Sequence, residues 1–168
     1  MLCVIAKLDE AATQTLEGLR KVVPGDPGRR PLYGHVTLAA YLGDEEARFV
    51  RSCREMLADF SAFSLRIPKI GVLEESSIVV ALPEKTGALE EIHRRIAAAY
   101  EDALDKWTRN GTWLPHITLF YGPEEDLQEL CRRMSAAFTP FSARISAIEF
   151  SRVLEEGYEI VERIPLPD

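Results

Sequence analysis

The sequence predicts an α+β protein with two mostly antiparallel sheets that face a central cleft and carry their helices on the outside. Three observations lead to this prediction. A four-residue motif occurs twice, as His-Val-Thr-Leu at 35–38 and as His-Ile-Thr-Leu at 116–119. The order helix, strand, helix, strand, strand is predicted twice along the chain. The 168 residues, 46% hydrophobic and 28% charged, are typical of one globular domain.

The repeat extends beyond the motifs. Residues 63–67 (Phe-Ser-Leu-Arg-Ile) return at 141–145 as Phe-Ser-Ala-Arg-Ile, and residues 72–75 (Val-Leu-Glu-Glu) return unchanged at 153–156. Offsets of 78 and 81 positions are too long, and two copies too few, for a stack of short repeats. We therefore predict a duplicated half-domain with pseudo-two-fold symmetry.

The boundaries follow from this duplication. Residues 1–168 form a single domain of two pseudo-symmetric halves, about 10–83 and 84–168, with an N-terminal strand over 2–9 added to one sheet.

The first half has a signal for each of its elements. Apolar residues at helical spacing predict a helix over about 10–23, which a Pro- and Gly-rich loop over 24–34 follows. The first motif forms a strand. Acidic residues at 44–46 begin a second helix, since negative charge is favourable at a helix N-terminus. Two strands, about 62–73 and 77–83, close this half.

The second half repeats the order. An apolar stripe predicts a helix over about 85–104, and a loop over 105–115 leads to the second motif. Acidic residues at 124–126 begin another helix. Strands over about 141–153 and 158–164 end the chain.

Composition restricts the function class. The net charge is −7, whereas proteins that hold long nucleic acids nonspecifically usually present a basic surface. A nucleic-acid substrate would therefore make a short, local contact. No apolar run approaches the roughly 20 residues that span a membrane, and the N-terminus does not resemble a signal peptide. Three cysteines without a CxxC pair indicate a reducing compartment, so we expect a cytoplasmic protein. A monomer is the default expectation for a domain that has its own core, although the sequence leaves the oligomeric state open.

The motifs carry the chemistry. Because successive side chains of a strand point to opposite faces, His35 and Thr37 share one face, and His116 and Thr118 share another. A neutral histidine can accept a proton while a protonated one donates, so two of them beside a phosphodiester could catalyse an in-line reaction. The threonine hydroxyls could donate to the phosphate oxygens. This arrangement requires no metal, and we expect no cofactor.

The paired motifs, each followed by Leu and set about 80 residues apart in a duplicated chain, resemble those of the 2H phosphoesterase superfamily. Its members include bacterial 2′-5′ RNA ligase-like proteins and cyclic nucleotide phosphodiesterases. The resemblance implies a bilobal LigT-like fold, a metal-independent mechanism and substrates with a 2′,3′-cyclic phosphate or a 2′-5′ linkage. It implies that His35 and His116 are catalytic and that Thr37 and Thr118 bind phosphate. Gly34 precedes the first histidine, where the second has Pro115.

Other side chains are candidate substrate contacts or ordinary surface and packing residues. The arginines could bind a flanking phosphate and the aromatic side chains could stack on a base. These candidates are Arg29, Arg30, Arg66, Arg144, Trp107, Trp113 and Tyr121. The pattern leaves open which face Lys7 lies on. His93, on a helix among charged residues, is expected in a solvated or flanking position.

Two functional hypotheses remain open at this stage. The first is a metal-independent phosphodiesterase or 2′-5′ RNA ligase-like enzyme acting on a nucleotide or an RNA end. The alternative is a non-catalytic module of the same fold that binds RNA ends or nucleotides. The sequence does not separate hydrolysis from ligation, nor the acid histidine from the base.

Overall fold

A computed structural model describes residues 1–22, 34–122 and 126–168. The strands in these ranges are β1 (Leu2–Leu8), β2 (His35–Tyr41), β3 (Phe63–Ile67), β4 (Lys69–Leu73), β5 (Ile78–Leu82), β6 (Ile117–Tyr121), β7 (Phe141–Val153) and β8 (Tyr158–Pro165). The α-helices are α1 (Glu10–Arg20), α2 (Glu46–Met56), α3 (Gly87–Tyr100) and α4 (Leu127–Ala137). Short 3-10 helices cover Glu74–Ser76, Glu101–Ala103 and Lys106–Thr108.

Within the described residues the strands form two antiparallel sheets. The larger has the order β2-β1-β7, and β3 and β8 pair with successive parts of β7 on its far side. The smaller has the order β4-β5-β6. The N-terminal strand β1 thus lies between the first motif strand and β7, so it joins the two halves of the chain in one sheet.

The strand predicted over 62–73 is wrong as a single element. The chain forms β3 and β4 instead, and these belong to different sheets. Pro68 lies between them. Because proline has no backbone N–H, it cannot donate to a ladder and favours a break between strands. The corresponding residue of the second half is Ser146, and there β7 continues without interruption.

The repeated segments pair with each other. In the β3–β7 register, Phe63 lies opposite Ile145, Leu65 opposite Ala143, and Ile67 opposite Phe141. Antiparallel pairing of a segment with its own repeat is what a local two-fold axis would produce. We propose such an axis between Leu65 and Ala143, with halves as the sequence predicts.

Buried side chains hold the helices on the sheets. Phe49 of α2 is fully buried and stacks on Tyr41 at the end of β2, with ring centroids 4.2 Å apart. Tyr100 and Phe150 contact the Phe49 ring edge to face, at 4.8 and 6.2 Å. This cluster fixes one end of the first motif strand. In the described part of the chain, no helix combines the length and apolar character needed to cross a membrane.

Candidate active site

Both motifs show the same alternation of burial. Val36 and Leu38 are fully buried in the hydrophobic core, whereas His35 and Thr37 on the intervening positions are partly exposed. In the second motif, Ile117 and Leu119 are buried, and His116 and Thr118 are partly exposed. Each motif therefore presents an imidazole and a hydroxyl on the face of the sheet opposite the core.

A β-bulge follows the threonine of each motif. In the β1–β2 register Thr37 lies opposite Ile5 but Ala39 lies opposite Val4, which leaves Leu38 outside the pairing. In the β5–β6 register Thr118 lies opposite Val80 and Phe120 opposite Val79, which leaves Leu119 outside it. A bulge bends the strand and re-aims the neighbouring side chains. The two threonines are thus followed by the same irregularity, whereas His35 is the first residue of β2 and His116 directly precedes β6.

The two motif strands lie near each other. Residues of β2 and β6 have Cα atoms within 8 Å of one another. The indole Nε1 of Trp113 donates a hydrogen bond to the Thr37 carbonyl at 2.9 Å, so the segment before the second motif also contacts the first. The fold therefore brings together two sequences that are 81 positions apart.

The tautomer of His116 follows from its partner. Its Nδ1 lies 2.8 Å from the Leu114 carbonyl, and because a carbonyl can only accept, Nδ1 must carry the proton. In the neutral ring Nε2 is then the proton acceptor. The ring is oriented by its own backbone, two residues before it.

The residues that precede the two histidines differ for a packing reason. A Cβ on the buried Gly34 would come within 2.8 Å of Leu8 Cδ1 and 3.1 Å of Leu16 Cδ1. A larger residue there would have to displace the ends of these two leucine side chains, which glycine avoids. Pro115, which is buried before His116, restricts the backbone instead.

Each motif strand receives a hydrogen bond from a helix of the other predicted half. His93 of α3 places Nδ1 2.9 Å from the Leu38 carbonyl of the first motif. Arg20 of α1 donates from Nε to the Leu119 carbonyl of the second motif at 3.0 Å. Both side chains are buried, with 6% of their surface exposed. The Leu38 carbonyl therefore accepts from His93, and the Leu119 carbonyl accepts from Arg20, so each bulge is bonded to a side chain from the other predicted half.

The solvated or flanking position expected for His93 is wrong. The ring is buried and stacks on Trp113 with centroids 4.0 Å apart and planes 14° from parallel. The signal was present in the sequence, because His93 follows Leu89 by four positions and precedes Ile96 by three, which places it beside the buried stripe of α3.

Burial lowers the pKa of His93, although the hydrogen bond to the Leu38 carbonyl opposes this shift. A group whose pKa is lower in the folded state binds fewer protons there, so the free energy of unfolding should fall as the pH drops below about 6.5. One such group gives a slope of at most about 1.4 kcal/mol per pH unit. We expect urea denaturation at a series of pH values between about 5.5 and 7.5 to give a free energy of unfolding that decreases toward the lower pH, with a slope no larger than this limit.

The His93→Asn variant is the control for this prediction. Its amide can still donate to the Leu38 carbonyl but does not titrate, so the variant should have a smaller slope than the wild type. Equal slopes in both proteins would show that another group is responsible.

A row of paired residues extends from Thr37 across the larger sheet. Thr37 lies opposite Ile5, Ile5 opposite Glu149, and Glu149 opposite Arg163. Directly opposed residues share a face, so this row lies on the side of His35, whose own partner is Lys7. The structure therefore places Lys7 on the histidine face, a point the sequence left open.

The carboxylate of Glu149 is buried between two cations. Its Oε1 lies 3.6 Å from Lys7 Nζ and 3.7 Å from Arg163 Nε, while only 4% of the residue is exposed. Lys7 and Arg163 also line a cavity of about 320 Å³ with the first residues of α1. No local pattern in the sequence indicates this cluster, because Lys7 and Glu149 come from opposite ends of the chain.

Residues 8–156 match the sequence model of the 2′-5′ RNA ligase superfamily. The chain belongs to this superfamily. The resemblance that the two motifs indicated is confirmed by this match, which includes both of them.

Solved structures similar to this member of the 2′-5′ RNA ligase superfamily share its fold. E. coli LigT in its apo form gives a TM-score of 0.69 at 19% identity, covering 99% of this chain and 97% of LigT. E. coli LigT complexed with 3′-AMP gives 0.70 at 19% identity, covering 99% and 98%. TT0787 of Thermus thermophilus gives 0.69 at 20% identity, covering 98% and 97%. No curated protein sequence matches the chain. The predicted LigT-like fold is confirmed.

The arginines predicted as substrate contacts in this superfamily member have different positions. Arg66 and Arg144 are exposed on the face of β3 and β7 that is opposite the core. Arg66 Nε lies 3.5 Å from Glu84, and Arg144 pairs with Asp168. Arg29 and Arg30 lie outside the described residues. Substrate contact by any of them stays a prediction.

The aromatic candidates also differ in environment. Trp107 is 47% exposed, with Lys106 Nζ 4.6 Å above its ring. Tyr121 is 62% exposed at the end of β6, opposite Ile78. Trp113 is partly buried, because one face of its ring stacks on His93. Base stacking by these residues stays a prediction, and Trp107 and Tyr121 are the more accessible of the three.

Proposed function

We propose that this protein is a metal-independent phosphoesterase that acts on a 2′,3′-cyclic phosphate or a 2′-5′ phosphodiester of RNA or a nucleotide. The observation that supports it best is the pair of His-Thr motifs on neighbouring strands, each with its apolar residues buried and its polar ones directed away from the core. His35 and His116 are the proposed acid and base, and Thr37 and Thr118 the proposed phosphate ligands.

The reaction on a cyclic phosphate proceeds in line. A neutral histidine accepts a proton from water while the water oxygen forms a bond to phosphorus. The bond from phosphorus to one ribose oxygen breaks, and the other histidine, which is protonated, donates its proton to that oxygen. The threonine hydroxyls donate hydrogen bonds to the nonbridging oxygens as their charge increases. His116 Nδ1 is held by Leu114, so Nε2 is its atom for proton exchange.

A similar solved structure supports the proposed substrate class. LigT has been solved with 3′-AMP, a nucleotide with its phosphate on the ribose 3′ oxygen. Opening of a 2′,3′-cyclic phosphate leaves the phosphate on either the 2′ or the 3′ oxygen of the ribose, so 3′-AMP has the form of one such product. A nucleotide or RNA end is therefore the partner that we propose for this chain, in agreement with the acidic net charge of −7.

The test is an assay of the purified protein with EDTA present, against a 2′,3′-cyclic nucleotide and a short 2′-5′-linked oligonucleotide. We expect the wild type to release product from at least one of them and the double variant His35→Ala, His116→Ala to release none. Loss of activity on chelation would contradict the metal-independent mechanism. Binding of both substrates without turnover would favour a nucleotide-binding module instead.

We also propose that the protein works as a monomer in the cytoplasm. Its three cysteines, Cys3, Cys53 and Cys131, are all free. Burial raises the pKa of the Cys3 thiol to about 11 and that of Cys53 to about 12, so both stay as thiols near neutral pH. Unpaired thiols are usual in a reducing compartment.

A further inference from the structure

Two side chains connect the first motif to the second. Trp113 donates from Nε1 to the Thr37 carbonyl, and His93 donates from Nδ1 to the next carbonyl, that of Leu38, both at 2.9 Å. Their rings stack on each other with centroids 4.0 Å apart. Two consecutive carbonyls at the bulge of the first motif are therefore held by one stacked pair.

The connection continues from Trp113 to His116. Only Leu114 and Pro115 separate them, and the Leu114 carbonyl accepts the hydrogen bond from His116 Nδ1. Proline fixes its own φ near about −65° and keeps the residue before it extended. A displacement of Trp113 would therefore pass through a restricted backbone to the His116 ring.

Other hydrogen bonds along the edge of β2 involve residues that follow the motif. The backbone of Ala40 is hydrogen bonded to Thr108 Oγ1 and to the Asp105 N–H, and the Leu42 N–H donates to the Ala103 carbonyl. These bonds cover the strand beyond the motif. The stacked pair instead contacts the motif itself, at Thr37, the proposed phosphate ligand, and at the bulge that follows it.

We propose that the stacked pair of His93 and Trp113 positions the first motif relative to His116, by fixing the Thr37 and Leu38 carbonyls and the backbone before His116 as one unit. This inference rests on the proposed function. Neither residue touches the substrate in this role. Both act on the alignment of Thr37 and His116, which a shift of about 1 Å can disturb at a cost of up to about 100-fold in rate.

The test uses variants that keep the stack but lose a donor. Trp113→Phe and His93→Phe each retain an aromatic ring and remove one hydrogen bond to the motif. We expect kcat to fall about 10- to 100-fold in each, with KM within about twofold, because alignment and not binding is changed. His93→Asn, which keeps a donor for the Leu38 carbonyl but loses the stack on Trp113, should recover only part of the rate lost in His93→Phe.

Thr86→Ala is the matched control for stability. Thr86 caps the N-terminus of α3 by accepting from the Leu89 N–H, at the end of the helix that begins six residues before His93. Its loss weakens the helix by about 1 kcal/mol, so it should leave kcat unchanged although the protein is less stable. A kcat in Trp113→Phe that equals that of the wild type would overturn the inference, as would an equal loss in Thr86→Ala.

A second readout separates this inference from the proposed function. The NMR resonances of the His116 ring should shift in both Phe variants but not in Thr86→Ala, whether or not the wild type turns over a substrate. A wild type without turnover would contradict the proposed function alone. Unchanged His116 resonances in Trp113→Phe would overturn the positioning role.

Discussion

Replacing either motif histidine by alanine should reduce kcat/KM by about 100- to 10,000-fold, which is the usual contribution of a general acid or base. In the proposed mechanism the imidazoles of His35 and His116 have separate roles, so the loss of one stops proton transfer on one side of the phosphate. The measurement is a steady-state assay of His35→Ala and His116→Ala on the substrate that the wild type prefers.

The double variant and a polar replacement sharpen this result. Because the two groups act in one transition state, the double variant should lose much less than the product of the single effects. His35→Gln keeps a polar side chain but cannot exchange protons, so it should be as slow as His35→Ala. Circular dichroism should be unchanged, since both rings are only partly buried. A single variant that keeps more than about a tenth of the wild-type rate would contradict the two-histidine mechanism.

Replacing Phe49 by alanine should lower the free energy of unfolding by about 3–5 kcal/mol. The Phe49 ring is fully buried between Tyr41, Tyr100 and Phe150, so its removal loses apolar burial and leaves a cavity that three rings cannot easily fill. Because Tyr41 ends β2, the cavity would lie under the strand of the first motif. Urea denaturation with an unchanged m-value is the measurement.

Leu42→Ala is the matched control for the core variant. Leu42 follows Tyr41 directly but is 54% exposed, so its truncation should change the free energy of unfolding by no more than about 0.5 kcal/mol. A loss below about 1.5 kcal/mol in Phe49→Ala would mean that the surrounding rings rearrange to fill the space.

Local patterns predicted the elements of the site well. Alternation along the two motifs depends only on the extended backbone, and the observed burial of Val36, Leu38, Ile117 and Leu119 follows it. The paired sheets and their helices also agree with the pattern of apolar residues. The boundary between β3 and β4 does not show in that pattern, because it depends on the missing backbone donor of Pro68.

Features that depend on distant partners could not be predicted in this way. The bulges after Thr37 and Thr118 arise from the register with β1 and β5, which local sequence does not specify. The same holds for the cluster around Glu149. His93 is an intermediate case, because helical spacing places it beside the core, whereas its contact with Leu38 requires the tertiary fold.

If the chain is divided into the two halves that we propose, the hydrogen bonds from Arg20 to Leu119 and from His93 to Leu38 each run from one half to the other, which affects how the two copies can diverge. After an internal duplication each copy can usually accumulate changes on its own. Here a substitution on α1 alters the surroundings of Leu119, and one on α3 alters those of Leu38. Selection on one copy therefore depends on the sequence of the other. Which substitutions are tolerated at Arg20 depends on the backbone around Leu119, and which are tolerated at His93 depends on the backbone around Leu38.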